Sequence, residues 1–76
     1  MIQIINLFYF RMTELLREVE KLEEDGYIVI LKWDGERSSD KRTVVITKPG
    51  EDFCMRRDTD DIWKTLEDFI LEIRTG

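Results

Sequence analysis

The sequence contains no histidine and a single cysteine, Cys54, and these two absences exclude much of the chemistry that small domains use. No intramolecular disulfide can form, and the tetrahedral zinc sites built from cysteine and histidine cannot be assembled from this chain alone. The activation of a cysteine nucleophile by histidine is excluded as well. We therefore interpret Cys54 as a half-buried structural thiol rather than a reactive one.

The chain also lacks a phosphate-binding glycine loop and a nucleophile elbow. Its 17 acidic residues offer many carboxylate pairs, but none lies in the apolar context that a general acid requires. A late acidic cluster lacks the spacing of a calcium loop, so we interpret it as helix-capping carboxylates. Its members are Glu51, Asp52, Asp58, Asp60 and Asp61. The sequence thus predicts no enzyme, no cofactor and no metal site.

Positive charge is scarce, since 12 basic residues stand against 17 acidic ones and the net charge is −5. Nucleic-acid-binding modules normally carry a basic stripe, so we expect binding to nucleic acid to be unlikely. The apolar run over residues 1–10 is about half the length that a bilayer-crossing helix needs, so no membrane partner is expected. One cysteine and no basic leader indicate a cytoplasmic protein.

With 76 residues there is room for a single domain, residues 1–76, with a thin hydrophobic core. Cores of this size are commonly supplemented by disulfides, a metal or a partner subunit. Because a disulfide and a tetrahedral zinc site are excluded here, we expect the chain to form a homo-oligomer or to bind another protein.

Helical spacing of apolar residues predicts two amphipathic helices, one over residues 13–25 and one over residues 58–74. Thr13 is the predicted N-cap of the first helix, and Gly26 is its predicted left-handed end, with Leu22 and Tyr27 in contact as in a Schellman motif. Asp58 or Thr59 is the predicted cap of the second helix.

Three strands are predicted between the helices, over residues 27–34, 43–48 and 52–57. The first is apolar on both faces in its first half, which is typical of a central strand covered on two sides. A loose hairpin loop over residues 35–42 follows it. Pro49 and Gly50 predict a type II turn between the second and third strands, and Phe53 and Met55 are expected to face inward.

The predicted fold is therefore α+β, in the order α-β-β-β-α, with two amphipathic helices on one face of a three-stranded antiparallel sheet. This order is similar to that of double-stranded-RNA-binding domains. Those domains contact phosphates through a basic start of the second helix, where this chain has Asp58, Asp60 and Asp61. The likeness is one of topology, and the sequence does not predict membership of that family.

The apolar N-terminal segment, residues 1–12, allows three interpretations: a backward extension of the first helix from about residue 5, which the unbroken helical stripe favours, a fourth strand, or a disordered extension. It holds more large apolar side chains than the small core can bury, so part of them should meet another chain. The candidate residues are Ile2, Ile4, Ile5, Leu7, Phe8, Tyr9 and Phe10.

A second candidate surface is the hairpin loop, where basic and aromatic residues lie near one another in the sequence: Trp33, Arg37, Lys41 and Arg42. The leading functional hypothesis is a non-catalytic protein-interaction module that self-associates through the N-terminal segment. The alternative is a nucleic-acid-binding module that uses the sheet and this basic loop, with a base stacked on Trp33.

Overall fold

The computed structural model describes the backbone of residues 2–76 and the side chains of residues 11–76. Along the chain, one helix precedes three strands and a second helix follows them, which confirms the predicted α-β-β-β-α order. The elements are helix α1 (Ile2–Glu24), strands β1 (Ile28–Trp33), β2 (Arg42–Lys48) and β3 (Phe53–Thr59), and helix α2 (Ile62–Thr75).

The strands form an antiparallel sheet in the order β1-β2-β3, and both helices pack on one of its faces. Val44 and Ile46 of β2 point into this layer and are fully buried, as are Leu22 of α1 and Leu66 of α2. The rest of the buried apolar core comes from the start and middle of α2: Ile62, Phe69 and Ile70. The predicted layer arrangement is thus confirmed.

Ion pairs between the helices show their relative direction. Arg11 of α1 contacts Glu67 of α2 at 3.1 Å, and Glu18 of α1 contacts Arg74 of α2 at 3.6 Å. The second pair therefore lies further towards the C-terminus in both helices. The two helices therefore run parallel to each other across the sheet.

Helix α1 ends as predicted. The N–H of Tyr27 donates to the carbonyl of Leu22 at 3.0 Å, the N–H of Gly26 donates to Glu23 at 3.0 Å, and Gly26 has a φ of 93°. This is the Schellman motif, in which glycine takes the left-handed conformation at little cost. The start differs from the N-cap prediction, because α1 begins at Ile2 and Thr13 lies inside it.

The central position predicted for the first strand is wrong. β1 pairs only with β2 and lies at the edge of the sheet, whereas β2 takes the centre. A strand that is apolar on both faces is buried on both only where other elements of the fold pack against each face. Here the helices pack against one face, so the side chains of Ile28 and Ile30 remain 47% and 50% exposed.

The turn after β2 follows the prediction, while the cap of α2 does not. Gly50 has a φ of 87°, and the N–H of Glu51 donates to Lys48 across the turn at 3.2 Å. Asp58 and Thr59 continue β3 by pairing with β2, so α2 starts later than expected. Its N-cap is Asp61, whose carboxylate accepts from the N–H of Lys64 at 3.1 Å.

Candidate interaction surface

The face of the sheet that the helices leave open exposes two large apolar side chains of β1, Ile28 and Ile30. Strand pairing places its residues in rows across β1, β2 and β3, because side chains alternate between the two faces. The rows are Ile28-Thr47-Cys54, Ile30-Val45-Arg56 and Lys32-Thr43-Asp58. We call this surface the open face.

One part of the open face is apolar and the other part is polar. Ile28 and Ile30 of β1 are exposed, and Val45 beside Ile30 is partly exposed. The row that ends at Asp58 is polar and tightly bonded: Thr43 is 4% exposed and its hydroxyl donates to Asp58 at 2.6 Å. The open face thus has an apolar part centred on Ile30 and a polar end.

Asp58 organises that polar end. The hydrogen bond from Thr43 and the charges of Arg37 and Arg56 hold the pKa of Asp58 below its ordinary value of 3.8. Arg37 approaches Asp58 at 3.3 Å and Arg56 approaches it at 3.6 Å. The carboxylate is the shared acceptor that fixes the hairpin loop against β3.

The structure brings the predicted hairpin residues together, and the guanidinium groups of Arg37 and Arg42 bond to nearby carboxylates and carbonyls. Arg37 contacts Asp34 and Asp58, each at 3.3 Å, and its guanidinium also donates to the carbonyl of Asp40. Near them, the guanidinium of Arg42 donates to the carbonyl of Asp60 at 3.3 Å. Paired carboxylates weaken the positive potential that a phosphate backbone needs.

Two further predicted hairpin residues lie at the same end of the sheet. The backbone N–H of Lys41 donates to the carboxylate of Asp60 at 3.4 Å. Trp33 packs edge-on against Trp63 of α2, with ring centroids 6.1 Å apart, yet remains largely exposed. Trp33 therefore belongs to the helix-covered face and borders the core rather than standing free in the loop.

The acidic residues of the predicted cluster have different partners and do not form one site. Asp58 pairs with Arg37 and Thr43, Asp60 accepts from Lys41, and Asp61 caps α2. Glu51 pairs with Lys48 at 3.5 Å in the turn. Within residues 11–76 no group of three or more His, Cys, Asp or Glu side chains is arranged to hold a metal ion.

Cys54 is exposed on the open face, so the prediction that it is half-buried is wrong. It occupies the first open-face position of β3, an edge strand, and no helix covers that face. Its row contains Ile28 and Thr47, and an exposed thiol beside them is accessible to solvent. Phe53 and Met55, its neighbours on the other face, do pack against the core as predicted.

A groove of about 660 Å³ runs between α1 and α2 on the side away from the sheet. Leu15, Ile70 and Leu71 line it together with charged side chains. The ion pairs of Arg11 with Glu67 and of Glu18 with Arg74 join its two walls. These bridges place paired charges along both walls of the groove.

The N-terminal candidates Ile2, Ile4, Ile5, Leu7, Phe8, Tyr9 and Phe10 have side chains that lie outside the described ones. Sequence reasoning missed the open face itself, since the apolar pattern of β1 was interpreted as burial on both sides. The signal available was the shortage of elements: two helices that cover one face leave none for the other.

Across the described residues, no helix combines the length and the apolar character needed to cross a membrane. Compared with protein-family models, with curated proteins and with solved structures, the chain gives no significant match to any of them.

Proposed function

We propose that the chain is a non-catalytic protein-interaction module that self-associates in a reducing, cytoplasmic setting. The observation that supports this most is the open face, where Ile28 and Ile30 are half exposed side by side on one strand. Small domains gain stability when such apolar surface meets a partner, because burial contributes about 25 cal/mol per Å².

The apolar N-terminal segment, residues 1–12, is the second surface in the proposal. Its composition exceeds what a core built around Leu22, Ile46 and Leu66 needs. We propose that it contributes to the contact between copies, and that the acidic helices and the hairpin loop face other protein partners. The ion pairs of Arg37 favour a protein partner over nucleic acid, because they reduce the free positive charge.

Size-exclusion chromatography with light scattering, over a hundredfold dilution range, tests the self-association. We expect twice the chain mass of 9.2 kDa at high concentration and a shift towards the single mass on dilution. A monomer at every concentration would contradict the proposal. Titration with single- and double-stranded oligonucleotides at low salt supplies the rival outcome, since salt-sensitive binding would favour the nucleic-acid alternative.

A chain that starts at Met12 shows which surface carries the contact, provided that its circular dichroism and melting curve show that it folds. If this shorter chain is monomeric while the full chain is dimeric, the N-terminal segment is required. If both are dimeric, the contact lies on residues 12–76 and the part of the proposal that concerns the N-terminal segment is wrong.

A further inference from the structure

The two edges of the sheet differ in how they are protected against pairing with another strand. The β3 edge carries Arg56, Arg57 and Asp58 in succession, and charges of this kind discourage strand addition. The β1 edge has the sequence IVILKW, with no proline, no bulge in its pairing and Lys32 as its one charge. β1 is therefore the edge that is open to another strand.

The backbone direction of β1 follows from its last bond to β2. The N–H of Asp34 donates to the carbonyl of Lys41 at 2.7 Å, directly after the paired residues Trp33 and Arg42. In an antiparallel ladder successive residues direct their N–H and C=O groups to alternate sides. Ile30 and Lys32 thus bond towards β2, as Asp34 does. The other set, which directs these groups away from the sheet, consists of Val29, Leu31 and Trp33.

We propose that a second copy of this chain pairs with this edge, β1 against β1 in antiparallel orientation, around a two-fold axis at Ile30. The proposal rests on the self-association proposed above and names the surface that mediates it. The result is one six-stranded sheet with all four helices on the same face. Such a contact is self-complementary and closed, as in most homodimers.

This register suits both the backbone and the side chains. It sets Val29 opposite the partner's Leu31, so the groups that point away from each sheet meet and bond. Ile30 faces the partner's Ile30 as a non-hydrogen-bonded pair, in which side chains come closest. Ile28 lies beside the aliphatic stem of the partner's Lys32, which covers apolar surface while its charge stays in water.

Two of the neighbouring registers are less favourable. A shift of one residue sets the open face of one copy against the helix-covered face of the other, because side chains alternate. A shift of two residues, centred on Leu31, places Ile28 opposite the partner's Asp34 and separates the two Ile30 side chains. Centring on Ile30 leaves no like charges opposite each other in β1.

The charges of α1 favour the same antiparallel arrangement. The chain reverses direction at the turn between α1 and β1, so positions on the two elements can be matched by their distance from that turn. At about 1.5 Å per helix residue and 3.3 Å per strand residue, Ile30 lies beside α1 within about one turn of Leu16, which is 48% exposed. The two α1 helices would then lie side by side in opposite directions. The acidic second halves of the two helices, with Glu20 and Glu23, would then lie apart from each other. A parallel arrangement would place the acidic halves together.

Disulfide trapping of the full-length chain tests the pairing. In a Cys54→Ser background, Ile30→Cys places two thiols in a non-hydrogen-bonded pair, whose Cα atoms lie about 4.5 Å apart, within the disulfide range of roughly 4.4–6.8 Å. Arg56→Cys in the same background is the matched control, because it occupies the same row on the opposite edge. Under mild oxidation we expect the Ile30→Cys dimer to form at least ten times faster than the control dimer.

A second variant keeps the test independent of cross-linking. Ile30→Lys in the native chain should lower the melting temperature of the monomer only slightly, because this side chain is half exposed in the monomer. It should weaken the dimer roughly tenfold or more, since it removes the apolar pair and sets two ammonium groups opposite each other.

The outcomes separate this proposal from the general one. If light scattering shows a dimer but Ile30→Cys cross-links no faster than Arg56→Cys, or Ile30→Lys leaves the dimer intact, pairing at β1 is wrong and self-association through another surface stands. If Ile30→Cys cross-links only to an Ile28→Cys chain or only to a Lys32→Cys chain, the register centred on Ile30 is wrong. A monomer in all conditions overturns both proposals.

Discussion

The two faces of the sheet are built from the same kinds of residue and have opposite fates. Ile46 of β2 is fully buried beneath the helices, whereas Ile30 of β1, one strand away, is 50% exposed on the open face. Composition and strand propensity do not distinguish them. What differs is the cover that α1 and α2 provide, so one face contributes to folding and the other is available for association.

The largest effect should come from the helix-covered face. Ile46→Ala removes a fully buried side chain that packs in the same core as Leu22 and Leu66, and leaves a cavity between sheet and helices. We expect a loss of about 2–5 kcal/mol in the free energy of unfolding, measured by urea denaturation. A loss below 1 kcal/mol would show that this face does not hold the core.

The turn that carries α1 onto the sheet should give the next largest effect. Gly26 has a φ of 93°, which side-chain-bearing residues adopt at a cost of about 1–2 kcal/mol. Gly26→Ala should therefore destabilise the chain by about that amount in the same urea experiment. Gly35→Ala is the matched control, because Gly35 has no positive φ and no atom near its added Cβ. Equal losses in both variants would refute the role given to the Schellman turn.

The polar end of the open face should appear in the pH dependence of stability. The pKa of Asp58 is lowered in the folded chain, so its stabilising contribution is complete above the unfolded value of about 3.9 and is lost as the pH falls through the folded value. Thr43→Val removes the strongest cause of that lowering. The pKa of Asp58 should rise towards its ordinary value and the acid-side loss of stability should shrink.

Carboxyl titration by NMR, run beside urea denaturation between pH 2 and 5, measures both quantities. Thr47→Val, two rows along on the same strand and face, is the control and should leave the titration of Asp58 unchanged. An Asp58 pKa that does not respond to Thr43→Val would remove the hydrogen bond as its cause.

The smallest effect on the monomer should come from the residue that contrasts most with Ile46. Ile30→Ala, studied by urea denaturation at concentrations where the chain is monomeric, should cost only about 1 kcal/mol, because half of the side chain is already exposed. The same substitution should weaken self-association when concentration is raised. A monomer as destabilised as Ile46→Ala would abolish the distinction between the faces.

Local signals in the sequence were sufficient for the parts of the fold that depend on neighbouring residues. The Schellman end at Gly26 follows from the spacing of Leu22 and Tyr27, and the turn at Gly50 follows from the Pro-Gly pair; both are confirmed. The order of the elements is confirmed for the same reason, since each helix and strand has its own periodicity.

Features that depend on distant residues were not accessible in this way. The edge position of β1 depends on strand order, which its own apolar pattern does not encode, and the exposure of Cys54 follows from the same lack of cover. Pairing with β2 makes Asp58 part of β3, so it cannot cap α2. The local pairing of Arg37 with Asp58 likewise joins residues that are far apart in the chain.

Amide hydrogen exchange, followed residue by residue by NMR at low and high protein concentration, shows directly whether a second copy pairs with the β1 edge. At low concentration the amide of Ile30, which bonds to β2, should exchange slowly, while those of Val29 and Leu31 at the free edge should exchange quickly. At high concentration Val29 and Leu31 should become protected as the second copy pairs with them. If they exchange quickly at concentrations where the chain is dimeric, the β1 edge is not the site of association.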